Sequence, residues 1–427
     1  MTSIERQAPV FTPIKSEQRI EALDVLRGLA IFGILFVNAT FFGLPMMEAV
    51  QPAMAGTVGQ DADWNATWFI KTFFEFKFIS MFSMMFGIGA ALQFDRARRS
   101  GSRFDGFYCR RLLILLGFGT LHAVVFFYGD ILTIYAVLGV SLLAFCRLKT
   151  KILLPIVIAL MMIAALMSTG MMLLESMAPQ MEVTLAADQA TRTGWDAIQA
   201  SGLQPQNQIW IDAETVAHQD GPYRDLLLFR VVSWAMGLIT IILSYGWHIL
   251  AMFALGVIIK RSPFFTRNDS GRRIRFWMMA ILPLALMVEG VTAWSYLTET
   301  SPLWATIILS MAREFSTVAT MLGYAAVLVM LVQMGVAATL FGWMAKVGRM
   351  ALTNYLLESL LMTTLFEFYG FGLFDQISRS GLILVSIGIC IILMIFSVLW
   401  LKCFSRGPME WLWRTLAYLK APSLKRG

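Results

Sequence analysis

The chain has 427 residues, of which 58% are hydrophobic, and its mean hydropathy is +0.69. Water-soluble domains contain about 45–50% apolar residues, so this composition excludes an ordinary soluble protein and predicts an integral membrane protein. The net charge of +7 does not indicate a nucleic-acid partner, because the basic residues cluster in short segments between apolar runs, as the positive-inside rule describes.

Ten apolar stretches are long enough to cross a bilayer, which takes about 20 helical residues. They cover residues 25–44, 76–94, 109–128, 131–147, 151–174, 236–259, 275–294, 312–333, 350–369 and 381–401. The segments that this topology places inside hold 27 of the 34 Lys and Arg residues, which puts both termini in the cytoplasm. The predicted fold is all-α, a polytopic bundle of about ten transmembrane helices. Residues 226–259 are interpreted as one crossing, because two would move the basic segment 260–275 outside.

These crossings divide the chain into five parts. They are a cytoplasmic N-terminal segment (1–22), the first five helices (23–174), an extracytoplasmic loop (175–224), the last five helices (225–402) and a cytoplasmic amphipathic tail (403–427). Residues 182–200 of the loop can form an amphipathic helix that caps an outward cavity, or belong to a solvated loop. Aromatic and basic residues at helical spacing in 408–420 predict a helix in the inner interface.

The first apolar stretch begins with two charged side chains. Asp24 and Arg27 are three residues apart and share one helix face. Ionised groups in a membrane helix are costly unless they pair or face a polar cavity. Asn38 continues the same face about 16 Å further along the helix axis. We predict a polar path from the inner end of this helix into the bilayer.

His122 and Asp130 are the predicted catalytic residues. A histidine exchanges protons near neutral pH, and low polarity favours its neutral, proton-accepting form. Asp130 follows a glycine at the start of the next predicted helix, where it can orient His122 or bind substrate. The alternatives are a histidine bonded to a neighbouring carbonyl and an aspartate that caps a helix.

A second polar cluster opens the ninth predicted helix. Asn354 and Glu358 are one turn apart, and Arg349 lies at the inner end. We assign all three to substrate binding. The alternatives are a helix–helix hydrogen bond for Asn354 and a headgroup contact for Arg349.

The other polar residues of the helices carry weaker signals. Arg230 can bind an acidic group near the outer face, and Arg313 with Glu314 can form an interfacial pair. His218 and His248 are isolated histidines with less indication of a direct role. The sequence has no metal-ligand spacing and no P-loop, so no metal site is predicted.

Several segments together resemble the YeiB-like family of bacterial membrane proteins. They are residues 19–38, 82–89, the pair Arg110-Arg111, His122, and residues 129–132, 348–355 and 407–414. The resemblance extends over nearly the whole chain and implies a multi-pass protein of the bacterial cytoplasmic (inner) membrane. The opening Asp-x-x-Arg-Gly motif is also similar to that of transmembrane acyltransferases such as heparan-alpha-glucosaminide N-acetyltransferase.

That second similarity implies a cytoplasmic acyl-CoA donor and a small-molecule, glycan or lipid acceptor on the far side. Asp24 and Arg27 would lie at the donor entrance, and Asn38 or Asn354 could donate hydrogen bonds to the reacting oxygen. The catalytic histidine of the lysosomal enzyme follows its first helix, whereas residues 40–71 contain none. Either His122 takes that role here or the mechanism differs. Glu358 is a second departure, because Gln is common there in the YeiB-like family.

Two other functional classes stay open. A five-plus-five helix arrangement is compatible with a secondary transporter or a lipid-handling protein. Against it, the Asp-x-x-Arg-Gly motif has no counterpart in the second half of the chain. A non-catalytic scaffold is the third class. The bilayer is a predicted partner, and homo-oligomer formation is left open.

Overall fold

The computed structural model describes residues 21–51, 62–177, 193–299 and 301–425, which are almost entirely helical. In chain order the helices are α1 Glu21–Gly43, α2 Met46–Val50, α3 Ala62–Phe73, α4 Lys77–Arg99, α5 Phe104–Val125, α6 Leu132–Leu138, α7 Leu142–Phe145, α8 Thr150–Met177, α9 Gly194–Ala200, α10 Gln208–Gln219, α11 Tyr223–Leu243, α12 Gly246–Arg261, α13 Asp269–Thr298, α14 Leu303–Met334, α15 Ala338–Arg349, α16 Ala351–Phe366, α17 Arg379–Cys403 and α18 Pro408–Tyr418. An isolated bridge between Phe404 and Lys425 is the one strand pairing within these ranges.

The predicted class, an all-α polytopic membrane bundle, is confirmed. In the described residues, eight helical segments are long and apolar enough to cross a membrane: α1, α3 with α4, α5, α8, α11, α13, α14 and α17. Helices α12 and α16 have 16 residues each, about 24 Å of rise. They lie between the longer helices and contribute fully buried residues to the same apolar core.

The apolar stretch 226–259 forms two helices, α11 and α12, with a break at residues 244–245. The Tyr223 ring, at the start of α11, is 6.1 Å from that of Tyr369. At the opposite end of the bundle, Lys260 of α12 pairs with Asp95 of α4. The two helices therefore pass through the bundle once between them, and the basic segment after α12 stays at the end that carries the other basic segments.

The predicted helix 131–147 is also divided. The structure has α6, a short 3-10 turn over Gly139–Ser141 and α7. Together these span Leu132–Phe145, which is shorter than a membrane-crossing helix. A Cβ atom on Gly139 would lie 2.9 Å from the Leu112 side chain, so this small residue permits close packing on α5.

Two helices that line the core were not predicted from the apolar runs. Helix α3 is too polar and α15 too amphipathic to satisfy a rule based on 20 apolar residues. Helix α9 forms the end of the helix predicted over 182–200, whose first part, 182–192, lies outside the described residues. Residues 1–20 of the N-terminal segment also lie outside them.

The tail helix α18 packs on the inner ends of α5 and α16. The Glu410 carboxylate accepts hydrogen bonds from the Leu352 and Thr353 amides (2.7 and 3.1 Å), and so caps the first turn of α16. The Arg111 guanidinium lies 4.2 Å from the centre of the Trp413 ring, a cation–π contact. Glu410 therefore holds the tail helix to α16, and Trp413 holds it to α5.

Candidate functional site

Three residues from α5, α16 and the turn before α6 form a continuous hydrogen-bonded chain. His122 Nδ1 is 2.9 Å from Asp130 Oδ1, and His122 Nε2 is 2.8 Å from Ser359 Oγ. The other carboxylate oxygen of Asp130 accepts the Thr133 amide at 2.7 Å. Both interpretations of Asp130 therefore hold together, because it caps α6 and orients the imidazole.

The chemistry of these groups fixes the proton positions. An ionised carboxylate only accepts hydrogen bonds, so His122 Nδ1 carries the proton and Nε2 accepts. The Ser359 hydroxyl donates to Nε2, and its other acceptor, the Tyr355 carbonyl, is further away at 3.2 Å. The result is the proton path of a Ser–His–Asp triad, which turns a hydroxyl into a nucleophile. All three side chains are buried, each at most 2% exposed.

His248 has a similar set of neighbours elsewhere in the bundle. Its Nε2 is 2.7 Å from Ser80 Oγ, and its Nδ1 bonds to Glu314. The Ser80 hydroxyl, however, is 2.5 Å from the Phe76 carbonyl of its own helix and 3.3 Å from the Tyr245 hydroxyl. Its proton therefore has a closer acceptor than the imidazole.

The third histidine lies between α10 and the turn after α16. His218 Nδ1 is 3.0 Å from Glu367 Oε2, an ion-pair distance, and Glu367 Oε1 accepts a hydrogen bond from Arg230 at 2.6 Å. Arg230 thus binds an acidic group as predicted, and the group is a residue of this chain. On α10, burial raises the pKa of Glu214 to about 7, although His218 acts to lower it.

A buried network of charges joins α4, α13 and α14. Lys77 Nζ donates to Glu289 at 2.6 Å, and both side chains are fully buried. Arg313 pairs with Glu75 and lies 3.6 Å from Glu289. The Arg313–Glu314 pair considered above does not form, because adjacent helical residues point to different faces and Glu314 binds His248 instead.

At the end of the bundle where α1 begins, the two polar motifs of the sequence lie against each other. Asp24 and Arg27 form an ion pair at 2.9 Å. Helix α1 packs on α15 with backbone contact, because a Cβ atom on Gly28 would overlap the Met344 carbonyl oxygen and one on Gly348 that of Asp24. The Asp-x-x-Arg-Gly motif and the segment before Arg349 therefore form one surface.

The remaining predicted binding residues lie in different environments. Asn354 donates both amide hydrogens within the protein, to the Val347 carbonyl at 3.0 Å and to Ser397 Oγ at 2.9 Å. These are helix–helix hydrogen bonds, the alternative to substrate binding given above. Arg349 donates to the Ser405 carbonyl at 3.3 Å. Asn38 lies half-buried on α1.

Glu358 is fully buried in α16, and in the described part of the chain neither carboxylate oxygen has a hydrogen-bond partner. An isolated carboxylate in such a setting is far less stable than the neutral acid. We therefore assign the protonated form to Glu358.

The structure thus brings His122 and Asp130 into direct contact, and it gathers Asp24, Arg27 and the α15 motif at the inner end. It shows no direct contact between these two groups among the described residues. Sequence reasoning missed Ser359, Lys77, Glu75 and Glu367. For Ser359 a signal existed, because Tyr355, Ser359 and Thr363 follow one another at four-residue spacing on α16. No group of three or more His, Cys, Asp or Glu side chains in the described ranges could hold a metal ion.

Comparison with known proteins gives a family. Residues 258–420 match a family described as a protein of unknown function, DUF418. The chain is 34% identical to the uncharacterized protein YxaH of Bacillus subtilis, over 95% of this chain and 96% of YxaH. It is 32% identical to the uncharacterized protein YeiB of Escherichia coli, over 93% of this chain and 96% of YeiB.

A third relative is an uncharacterized 39.9 kDa protein in the amylase 3' region of Bacillus acidopullulyticus. It is 28% identical over 95% of this chain and 96% of its own length. No solved structure matches the chain. The two full-length matches above 30% identity confirm the resemblance found in the sequence motifs. The chain belongs to the YeiB-like family of bacterial membrane proteins.

Proposed function

We propose that this protein is a transmembrane acyltransferase of the bacterial cytoplasmic membrane, which moves an acyl group from cytoplasmic acyl-CoA to an acceptor on the outer side. The observation that carries the proposal is the Ser359–His122–Asp130 chain, with contacts of 2.8 and 2.9 Å. A buried hydroxyl aligned with an imidazole and a carboxylate is the arrangement that supports nucleophilic acyl transfer.

The reaction has two balanced steps. In the first, His122 Nε2 takes the Ser359 proton while Ser359 Oγ attacks the thioester carbonyl; the C–S bond breaks, and the departing thiolate receives that proton to become free CoA. In the second, His122 takes a proton from an acceptor hydroxyl or amine, which attacks the Ser359 ester. The acylated acceptor leaves, and the proton returns to Ser359.

The inner end supplies the groups for the donor. Arg27 and Arg349 are on the α1–α15 surface, and arginine suits the phosphate groups of CoA because its planar fork binds two oxygens at once. The Arg27 side chain is 28% exposed, whereas its partner Asp24 is 4% exposed. Asp24 therefore positions the guanidinium at this surface.

The triad itself is closed in this conformation. Ser359 and His122 are each 1% exposed, so acyl transfer requires the outer end of α16 to move. That end is held by Glu367, which binds His218 and Arg230. The proposal therefore requires that His218 and Arg230 release Glu367, so that the end of α16 can move and expose Ser359.

The test measures free CoA released from acetyl-CoA and from palmitoyl-CoA by the purified protein in phospholipid nanodiscs. A single general base contributes about 10²–10⁴-fold to a rate, so His122→Ala should lose that factor. His248→Ala removes an equally buried histidine and is the matched control, expected to release CoA at close to the original rate. Undiminished release by His122→Ala would contradict the proposal.

Transport is the second candidate, and the buried charge network supports it. Lys77 and Glu289 are fully buried, with Arg313 beside them at 3.6 Å from Glu289, and buried ionisable groups of this kind form proton or ion paths in transporters. Solute uptake into sealed vesicles, driven by a proton gradient and lost in Glu289→Gln, would favour transport over acyl transfer.

A further inference from the structure

A cleft between α1, α3 and α17 stands apart from the triad. It has an empty volume of about 470 Å³, including space open to the outside. Its wall is mainly apolar, with polar groups at intervals, and its residues are Phe36, Val37, Thr40, Phe41, Ala49, Ala66, Thr67, Ile70, Lys71, Glu75, Arg379, Leu382 and Ile383. None of these residues belongs to the proposed catalytic chain.

The cleft lies at the depth of the outer headgroups. Helix α17 has 25 residues, Arg379–Cys403, which is about 37 Å and enough to span the hydrocarbon core. Arg379 is the first residue of that helix, and the basic tail follows its other end. The cleft therefore extends from the outer boundary of the membrane, at Arg379, into the apolar zone at Ile383.

No carboxylate of the described residues forms a contact ion pair with Arg379, although the Glu48 and Asp63 carboxylates act on its charge from further away. Its side chain is buried, the residue being 6% exposed, and its one hydrogen bond within those residues goes to the Glu48 carbonyl at 2.6 Å. The nearby Asp63 carboxylate accepts the Ser380 amide and hydroxyl at 3.0 and 2.9 Å instead. A guanidinium has five N–H donors, so most of them stay available on the cleft side.

The other charges of the cleft are already balanced. Glu75 pairs with Lys71 at 3.1 Å and with Arg313, so its carboxylate does not repel an anion. The Lys71 ammonium also lies 4.4 Å from the centre of the Tyr296 ring. Arg379 is consequently the cleft cation that has no carboxylate at contact distance among the described residues.

We propose that this cleft binds a membrane phospholipid from the outer leaflet, with its phosphate on Arg379 and Lys71 and its acyl chain along Phe36, Ile70 and Ile383. A buried charge is stable only when paired, and arginine binds phosphate in two-pronged fashion. A lipid supplies the phosphate and the apolar chain in one molecule, whereas a free anion would leave the apolar wall uncovered. The inference does not depend on acyl transfer.

The first test titrates phosphatidylglycerol into the detergent-solubilised protein and counts bound lipids by native mass spectrometry. One molecule should bind tightly, and Arg379→Gln should weaken that binding about ten- to a hundredfold, the range of a charge-assisted contact. Arg224→Gln is the control, because Arg224 is on the outer side with its side chain 88% exposed. It should bind as the original protein does.

Two competitors identify the ligand. Dioleoylglycerol, which has the chains without the phosphate, should fail to displace phosphatidylglycerol, and so should inorganic phosphate at millimolar concentration. Displacement by phosphate would show a site for a soluble anion, and displacement by dioleoylglycerol would show a site for acyl chains alone. Either result overturns the proposal, as does equal binding by Arg379→Gln.

A second pair of variants leaves Arg379 and its bond to Glu48 intact. Ile383→Trp fills the apolar part of the cleft and should reduce lipid binding by a similar factor. Leu384→Trp adds the same bulk to the neighbouring residue, which is 70% exposed on the outside of the bundle, and should leave binding unchanged. Equal binding by these two variants would contradict the proposed position of the lipid chain.

Discussion

Two histidines of this protein are buried with nearly the same partners. His122 lies between Asp130 and Ser359, and His248 lies between Glu314 and Ser80. The difference is the competition for the serine proton. The alternative acceptor of the Ser359 hydroxyl is 3.2 Å away, whereas that of Ser80 is 2.5 Å away.

The comparison shows that residue types alone do not identify a catalytic triad. A serine hydroxyl that donates its proton to a carbonyl of its own helix does not donate it to a histidine. It can still accept a hydrogen bond and so connect two helices. Ser80 fits that description, and its histidine joins α4, α12 and α14 through the same contacts. Ser359 keeps its proton directed at the imidazole, which is the property that an activated nucleophile needs.

The largest expected effect is on the rate of acyl transfer, when the carboxylate beside each histidine, Asp130 or Glu314, is replaced by an amide. Asp130→Asn lets an amide donate to His122 Nδ1, so the proton moves to Nε2 and the imidazole no longer accepts from Ser359. We expect acyl transfer to fall roughly 10³–10⁴-fold, as the loss of the correct tautomer does in hydrolase triads. Glu314→Gln makes the same change at His248 and should leave transfer within about threefold, since that site is structural. Steady-state CoA release measures both, and equal losses would remove the distinction between the two sites.

The next largest effect is on the free energy of unfolding and comes from the buried Lys77–Glu289 pair. Lys77→Met removes the closest charge partner of Glu289 and leaves it Arg313 at 3.6 Å; breaking a buried pair from one side costs at most about 3–5 kcal/mol. The double variant Lys77→Met/Glu289→Leu removes both charges and should regain most of the loss. Unfolding in mixed detergent micelles measures the free energies. A double variant less stable than Lys77→Met would contradict a purely structural role and favour a functional use of this pair.

A smaller effect is expected where α1 meets α15. Gly348→Ala inserts a methyl group against the Asp24 backbone, and overpacking of this kind costs about 1–3 kcal/mol. Gly342 is on the same helix with no atom within 4 Å of a Cβ, so Gly342→Ala should be neutral or slightly stabilising. The same unfolding assay compares them. Equal stability of both variants would show that the two motifs do not pack as described.

The last effect is a pH dependence that comes from Glu214 on α10. Burial raises the pKa of Glu214 from 4.5 to about 7, so the folded protein holds this proton more tightly than the unfolded chain does. The contribution of Glu214 to stability should therefore be largest below pH 4.5 and fall as the pH rises to about 7, by at most about 1.4 kcal/mol per pH unit. Glu214→Gln should flatten this part of the profile, and Asp212→Asn, an exposed residue of the same helix, should not. A profile unchanged by Glu214→Gln would refute the assignment.

Much of the fold could be predicted from the sequence, because long apolar runs with basic ends determine the membrane helices directly. Helix α1 was predicted over 25–44 and observed over Glu21–Gly43. Helix α15 could not be found in this way, since its burial depends on two glycines that let α1 approach. The break between α11 and α12 was visible at Tyr245-Gly246, but its contacts with Ser80 and His248 arise only from packing.

The candidate site was predictable only in part, for a similar reason. His122 and Asp130 are eight residues apart around a turn, so local sequence brings them together. Ser359 is 237 residues from His122, and only the packing of α16 on α5 shows that it faces the imidazole. Lys77 and Glu289 are likewise partners from distant helices.

The most direct test of the account is to trap the acyl-enzyme. Protein mixed with isotope-labelled acyl-CoA and quenched in acid should yield, by peptide mass spectrometry, the labelled acyl group on Ser359 and none on Ser80. Prior substitution of His122 by Ala should abolish the label. Steady CoA release with no label on Ser359, or label on Ser80 in its place, would contradict the central claim.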